Sequence, residues 1–211
     1  VGSTGTTTLG LQILKENNVV LKNGTLKSTA VTEGKEVKML VQNYANLTVE
    51  DMNLVDATDA IQYVLSNNSG NVVVKGNTNI TTDAVAFDAC KYANYDVPTV
   101  TVEENVVVKG DVEVSATLNM NGTLNGSIIL NGNNGVVNTT KEYNVTTNVA
   151  DSKVVLNNGA YTVEAVNYVA KVGEQGYETL AAALTDAQAG QTITLVADVT
   201  EDVTVTKNVT I

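Results

Sequence analysis

The chain has 211 residues, 43% of them hydrophobic but only 4% aromatic, with no Trp, one Phe (Phe87) and one Pro (Pro98). That length permits one elongated domain plus a smaller piece, and a core so short of large rings must be assembled from thin layers of Val, Leu, Ile and Ala. The net charge is -11, all twelve basic residues are Lys and His is absent; this excludes the clustered positive charge that nucleic-acid binding needs and suits an acidic surface in an extracellular setting.

The first elements repeat. Residues 11–29, 39–57 and 63–81 each read as a short apolar strand, a polar corner, an Asn, a Val- or Leu-led strand and a further corner. The shared asparagines are Asn18, Asn46 and Asn71, at spacings in the range of solenoid repeats. A single copy is too short to bury its own apolar face, so copies must stack and pair in parallel. Asparagines at one corner of successive rungs can form a hydrogen-bonded ladder, an amide donating to the next rung's carbonyl, and such a ladder is expected through Asn18, Asn46 and Asn71. The alternative is three unrelated turn asparagines. A fourth, longer copy spans residues 84–115, with an insertion around residues 92–98 that carries Tyr92 and Tyr95. Loops on a rigid scaffold commonly carry function, and exposed rings can stack on sugars. Tyr92 and Tyr95 are therefore the candidate ligand-binding residues, against ordinary packing of the loop on the coil. Cys90 is the one cysteine. It forms no intrachain disulfide and is expected as a small buried residue.

Residues 116–165 continue in a looser register, punctuated by Asn121-Gly122, Asn125-Gly126 and Asn131-Gly132. Asn-Gly favours hairpins, but its recurrence at short intervals favours tight corners. Residues 153–163 read as a last rung. The composition then shifts near residues 165–171. Residues 176–189 read as an amphipathic helix, with Leu180, Ala183 and Leu184 on one face, Thr179 or Glu178 near its start and Gly190 as C′. Strands are expected at residues 191–197 and 202–211.

The stretches Asn18-Val-Val-Leu-Lys-Asn-Gly-Thr25, Gly70 through Ile80 and Tyr177 through Ile211 resemble the pectin-lyase-like right-handed parallel β-helix superfamily, in the form found in repetitive adhesin-like surface proteins of bacteria. The resemblance implies an all-β, right-handed parallel β-helix (solenoid) with one short capping helix near 176–189. Residues 1–165 would be the β-helix, lacking its first rungs, with residues 1–11 continuing a rung begun earlier. Residues 166–211 would be a linker, the capping helix and the first strands of a second β-helix-like module. The chain reads as an excised fragment, with neighbouring tandem modules as partners.

Catalysis was weighed against that resemblance. Lyases and hydrolases of the superfamily use Arg, Lys or His beside acidic groups, and Arg and His are absent here. A two-carboxylate glycosidase needs only Asp and Glu, so Glu50-Asp51, Asp83 with Asp88, and Glu103-Glu104 are the candidate pairs. Adjacent strand residues point to opposite faces, which disfavours the first and third, and no Trp is present to line sugar subsites. No EF-hand or Gly-Gly-x-Gly-x-Asp repeat occurs. The expectation is no enzyme, no cofactor and no metal, but a cell-surface or secreted module with an adhesive or structural role, binding glycan or host protein. The alternatives are a carbohydrate-active β-helix and a self-assembling stalk or fibre unit. No apolar run reaches membrane-spanning length, so this segment is not expected to insert. Nine Asn-x-Ser/Thr sequons, beginning at Asn23, Asn46, Asn67, Asn79, Asn121, Asn125, Asn138, Asn144 and Asn208, become glycosylation sites if the source modifies them.

Overall fold

The computed structural model describes residues 9–28, 37–58 and 61–211. Most of the expected lead-in at residues 1–11 lies outside them. The chain divides into two compact units, Val1–Glu164 and Ala165–Ile211. The described residues are all-β with one short helix.

The first unit opens with β1 (Leu9–Ile13), β2 (Asn18–Lys27), β3 (Met39–Asn43), β4 (Asn46–Val55), β5 (Tyr63–Asn67), β6 (Asn71–Lys75) and β7 (Asn79–Ala89). It continues with β8 (Thr99–Val102), β9 (Val107–Val114), β10 (Thr117–Met120), β11 (Thr123–Asn125), β12 (Ile128–Leu130), β13 (Val136–Asn138) and β14 (Val145–Thr147). It closes with β15 (Ser152–Asn157) and β16 (Ala160–Ala165). All belong to one long mixed sheet of 16 strands.

Its pairing resolves into three parallel ladders, a pattern compatible with the expected β-helix. The first joins β1, β3, β5, the end of β7, the end of β9, β12 and β14. The second joins the start of β2 and of β4 to β6, β8, β10 and β13. The third joins the later halves of β2 and β4 to the start of β7, the start of β9 and β11.

Alternation explains why these residues stack. On the second ladder Leu47, Val72, Val100, Leu118 and Val137 pair in one column, each at most 1% exposed. Burying each such side chain stabilises by roughly 1.5–3 kcal/mol. Phe87 is the largest fully buried side chain and sits between Leu65 and Val112 on the first ladder.

The expected repeats correspond in their second halves, where Asn18 pairs with Asn46. The first half of the first copy is offset, with Leu11 opposite Val41, whereas Met39 and Tyr63, the starts of the second and third copies, pair in register. The cause is corner length, since residues 14–17 follow β1 where only Tyr44 and Ala45 follow β3. The three Asn-Gly steps at Asn121, Asn125 and Asn131 sit between successive strands whose pairings are parallel, as corners. Residues 153–163 do not make a further parallel row. β16 runs antiparallel to β13, with Val137 opposite Tyr161. Asn158 and Gly159, both at positive φ (51° and 77°), reverse the chain between β15 and β16, as a tight hairpin turn requires.

In the second unit β17 (Ala170–Val172) pairs antiparallel with β18 (Gln175–Tyr177) and with β19 (Ile193–Leu195). Helix α1 spans Leu180–Asp186, shorter than expected, because Gly176 and Tyr177 are held in β18. Thr179 is its N-cap, accepting from the Ala182 N–H, and Ala187 rather than Gly190 ends it. Leu180, Ala183 and Leu184 are buried against Ala170 and Ile193. The expected strand at 202–211 reduces to one parallel bridge, Thr192 with Thr210. Residues 201–207 instead close both helix ends. Glu201 accepts from the Leu180 and Ala181 N–H groups at 3.0 and 3.1 Å. Lys207 Nζ donates to the Thr185 and Ala187 carbonyls at 2.6 and 2.9 Å. Each charge opposes the helix dipole at its own end.

Candidate functional site

The insertion sits at the corners between the first and second ladders. Residues 90–98 follow β7 and fold back over neighbouring corners: the Cys90 N–H donates to the Asn67 carbonyl and the Tyr92 N–H to the Asn68 carbonyl. Both expected tyrosines thereby meet a third, Tyr44, at the corner after β3. Tyr95 lies 4.8 Å from Tyr44 at an interplanar angle of 41°, and Tyr92 meets Tyr44 edge-on at 6.0 Å and 76°. Burial and the neighbouring Tyr92, Tyr95 and Asp88 hold the Tyr44 hydroxyl above its ordinary pKa.

Beside Tyr44 and Tyr95 opens a cleft of about 390 Å³ between residues 15–18 and 94–96, floored by Ala45, Asn46, Ser69 and Gly70. Gly70, at φ 81°, is required there, because a Cβ would strike the Ala45 carbonyl. Tyr92, 54% exposed, lies outside the lining and braces Tyr44.

Two of the three singled-out asparagines line this cleft. Asn46 Nδ2 donates to Asn18 Oδ1 at 2.9 Å, and Asn46 Oδ1 accepts from the Asn71 backbone N–H at 3.0 Å. The first link joins two side-chain amides, and the second uses main chain. Thr99 pairs with Asn71 and ends the row. The sequence reading missed a second, buried column formed by Asn43 and Asn67, paired in register and both fully buried. Asn43 bonds the Ala45 N–H and carbonyl, turning the corner from inside. Asn67 Nδ2 donates to the Asp88 carbonyl, and its Oδ1 has no partner. The signal was present: each ends the first strand of its repeat, one polar residue (Gln42 or Ser66) beyond an apolar pair.

None of the expected carboxylate pairs converges. Glu50 bonds Lys22 at 2.7 Å and Lys75 at 3.5 Å across a column, and the Lys22 hydrogen bond holds its carboxyl below the ordinary value. Asp51, at positive φ, accepts from the Asn77 N–H. Asp83 pairs with Lys109 at 2.6 Å, whereas Asp88 turns to Ser66 Oγ and the Asn67 N–H. Glu103 and Glu104 are exposed in a turn. The acidic neighbours that do meet are Asp88 and Glu113, opposite one another on the first ladder. Tyr63 Oη donates to Glu113 at 3.0 Å, and burial pushes the Asp88 carboxyl up to about 7. Asp88 is only 6% exposed. Cys90, half-buried, donates to the Glu113 carbonyl at 3.8 Å, and burial raises its thiol pKa. No metal-holding cluster of three or more His, Cys, Asp or Glu occurs among the described residues. No described helix is long and apolar enough to cross a membrane.

No family model, curated protein or solved structure matches this chain. The functional reading therefore stands on geometry.

Proposed function

We propose that the chain is a non-catalytic module of a secreted or cell-surface protein, a right-handed parallel β-helix of the pectin-lyase-like kind that displays an adhesive surface. The observation that carries this reading is the tyrosine cluster: Tyr92 and Tyr95, on an insertion, are anchored to Asn68 and packed on Tyr44 beside an open cleft. The three parallel ladders supply the rigid support that a binding loop needs. Catalysis finds little support, since the raised carboxyl of Asp88 is sealed from solvent and the cleft carboxylates of Glu16 and Asp96 are exposed. An acid catalyst needs an enclosed, apolar site to keep its proton near neutrality.

Residues 166–211 fit the start of a further module, with tandem copies as neighbours. The parallel bridge from Thr192 to Thr210 spans 210 − 192 = 18 residues, the same as the step from Val100 to Leu118 in the first unit, 118 − 100 = 18.

Purified chain would be screened on arrays of glycans and host-surface proteins and incubated with polysaccharides. Binding without turnover is the expected result. Depolymerisation of any polysaccharide would overturn the non-catalytic reading, and absence of any ligand would overturn the adhesive one.

A further inference from the structure

We propose that the cleft beside Tyr44 and Tyr95 is a binding site for a neutral carbohydrate, with one sugar ring laid on Tyr95 and its hydroxyls bonded to Asn18 and Asp96. This rests on the adhesive reading above and assigns its ligand class.

Three properties of the cleft point the same way. The first is shape: its volume of about 390 Å³ falls in the range of small-ligand pockets, roughly 300–1,000 Å³. Tyr44 and Tyr95 line its wall side by side, and the apolar ring and polar tip of tyrosine suit the C–H face of a pyranose and its flanking hydroxyls.

The second property is hydrogen-bonding capacity held in place. Asn46 is committed on both sides, to Asn18 Oδ1 and to the Asn71 N–H. That fixes the Asn18 amide with its oxygen occupied and its N–H groups directed to donate elsewhere. Asn17 is anchored likewise, donating to the Leu14 and Lys15 carbonyls, which leaves its Oδ1 as an acceptor. Asp96 adds an exposed carboxylate. Anchored donors and acceptors together match hydroxyls, which do both, and pre-organisation limits the entropy lost on binding.

The third property is charge. Lys15 is ion-paired with Glu16 at 3.4 Å, so Asp96 leaves the cleft net negative. Uronate, sialate or sulfate groups would meet repulsion with no Arg to offset it. A proline-rich peptide, the other common occupant of tyrosine clefts, docks in apolar aromatic-lined grooves. Here the remaining wall is amide and carboxylate.

The test uses the whole chain and saturation-transfer NMR with titration calorimetry. The probes are neutral oligosaccharides ending in glucose, galactose, mannose or N-acetylhexosamine, sialylated and uronate-containing counterparts, and a proline-rich peptide. At least one neutral oligosaccharide should bind, with saturation transfer strongest at its ring C–H protons. Tyr95→Ala should weaken it by about tenfold or more, and Tyr95→Phe by less than about threefold, since stacking uses the ring face. Asp96→Lys should admit anionic glycans. Circular dichroism checks that each variant folds, and Asn18→Ala, which should weaken neutral binding by about threefold or more, keeps the test decisive if Tyr95→Ala does not. Preference of the unaltered chain for anionic glycan or peptide, or neutral binding indifferent to Tyr95 and Asn18, overturns this site while leaving the adhesive reading standing. Absence of any ligand overturns both.

Discussion

The two units hold themselves together by different means. In Val1–Glu164 the same few side-chain types recur in columns, and Leu47, Val72, Val100 and Leu118 each contribute similarly to one continuous core. In Ala165–Ile211 the core is small, built on Ala170, Leu180, Ala183, Leu184, Ala187 and Ile193. Its short helix depends on two charged side chains that close its ends, Glu201 and Lys207. A stack distributes stability over many equivalent positions, whereas a small unit concentrates it in a few directed bonds. The exceptions inside the stack, Phe87 and Asp88, are therefore where single changes should matter most.

The largest effect is expected at Phe87. Phe87→Ala leaves a cavity in a fully buried position and should destabilise the first unit by about 3–5 kcal/mol. Hydrogen exchange resolved by segment should show faster exchange across β5, β7 and β9 and none of it in residues 166–211. Equal loss in both units would break the comparison.

Next comes Asp88. Burial raises its carboxyl from 3.8 to about 7, so the folded chain holds this proton more tightly than the unfolded chain does. The stability it contributes is fully present below about pH 4 and is lost as pH rises toward about 7, a decline on the order of 4 kcal/mol. Chemical denaturation at pH 4 and pH 8 should show that decline in the native chain, and Asp88→Asn should flatten it. An unchanged slope in the variant would assign the dependence to another group.

Glu201→Ala should destabilise the second unit by about 1–2 kcal/mol, the scale of a helix cap, and fray residues 180–183 first, as read by amide exchange. The smallest effect belongs to Asn46→Ala. It removes one side-chain bond and one acceptor at an exposed corner, about 0.5–1 kcal/mol, with added local exchange at Asn18 and Asn71 only.

Legibility in the sequence followed the range of the physics. The repeats at residues 39–57 and 63–81 could be read because in–out alternation and an Asn at a strand-leading corner are properties of a few adjacent residues. The helix was found, and Thr179 near its start is its N-cap, but its length and its C-terminal end were not. Its upstream limit depends on pairing of Gly176 and Tyr177 with β17, and its caps arrive from residues 21 and 22 positions away. Of the site, Tyr92 and Tyr95 stood out because they interrupt a repeat. Tyr44 did not, since it occupies an ordinary corner and gains its role only when residues 90–98 fold back onto it.

Composition, period and turn chemistry by themselves determined an all-β chain of small branched residues in repeated short strands, without the positive charge for nucleic acid. Only the tertiary structure decided that Asp88 would meet Glu113 and lose most of its solvent, that Asn43 and Asn67 would line a buried column, and that three tyrosines would pack together beside a cleft. Those outcomes depend on which corner a loop covers and which residues become cross-strand neighbours. Register sets both, and a shift of one residue would carry every side chain to the opposite face.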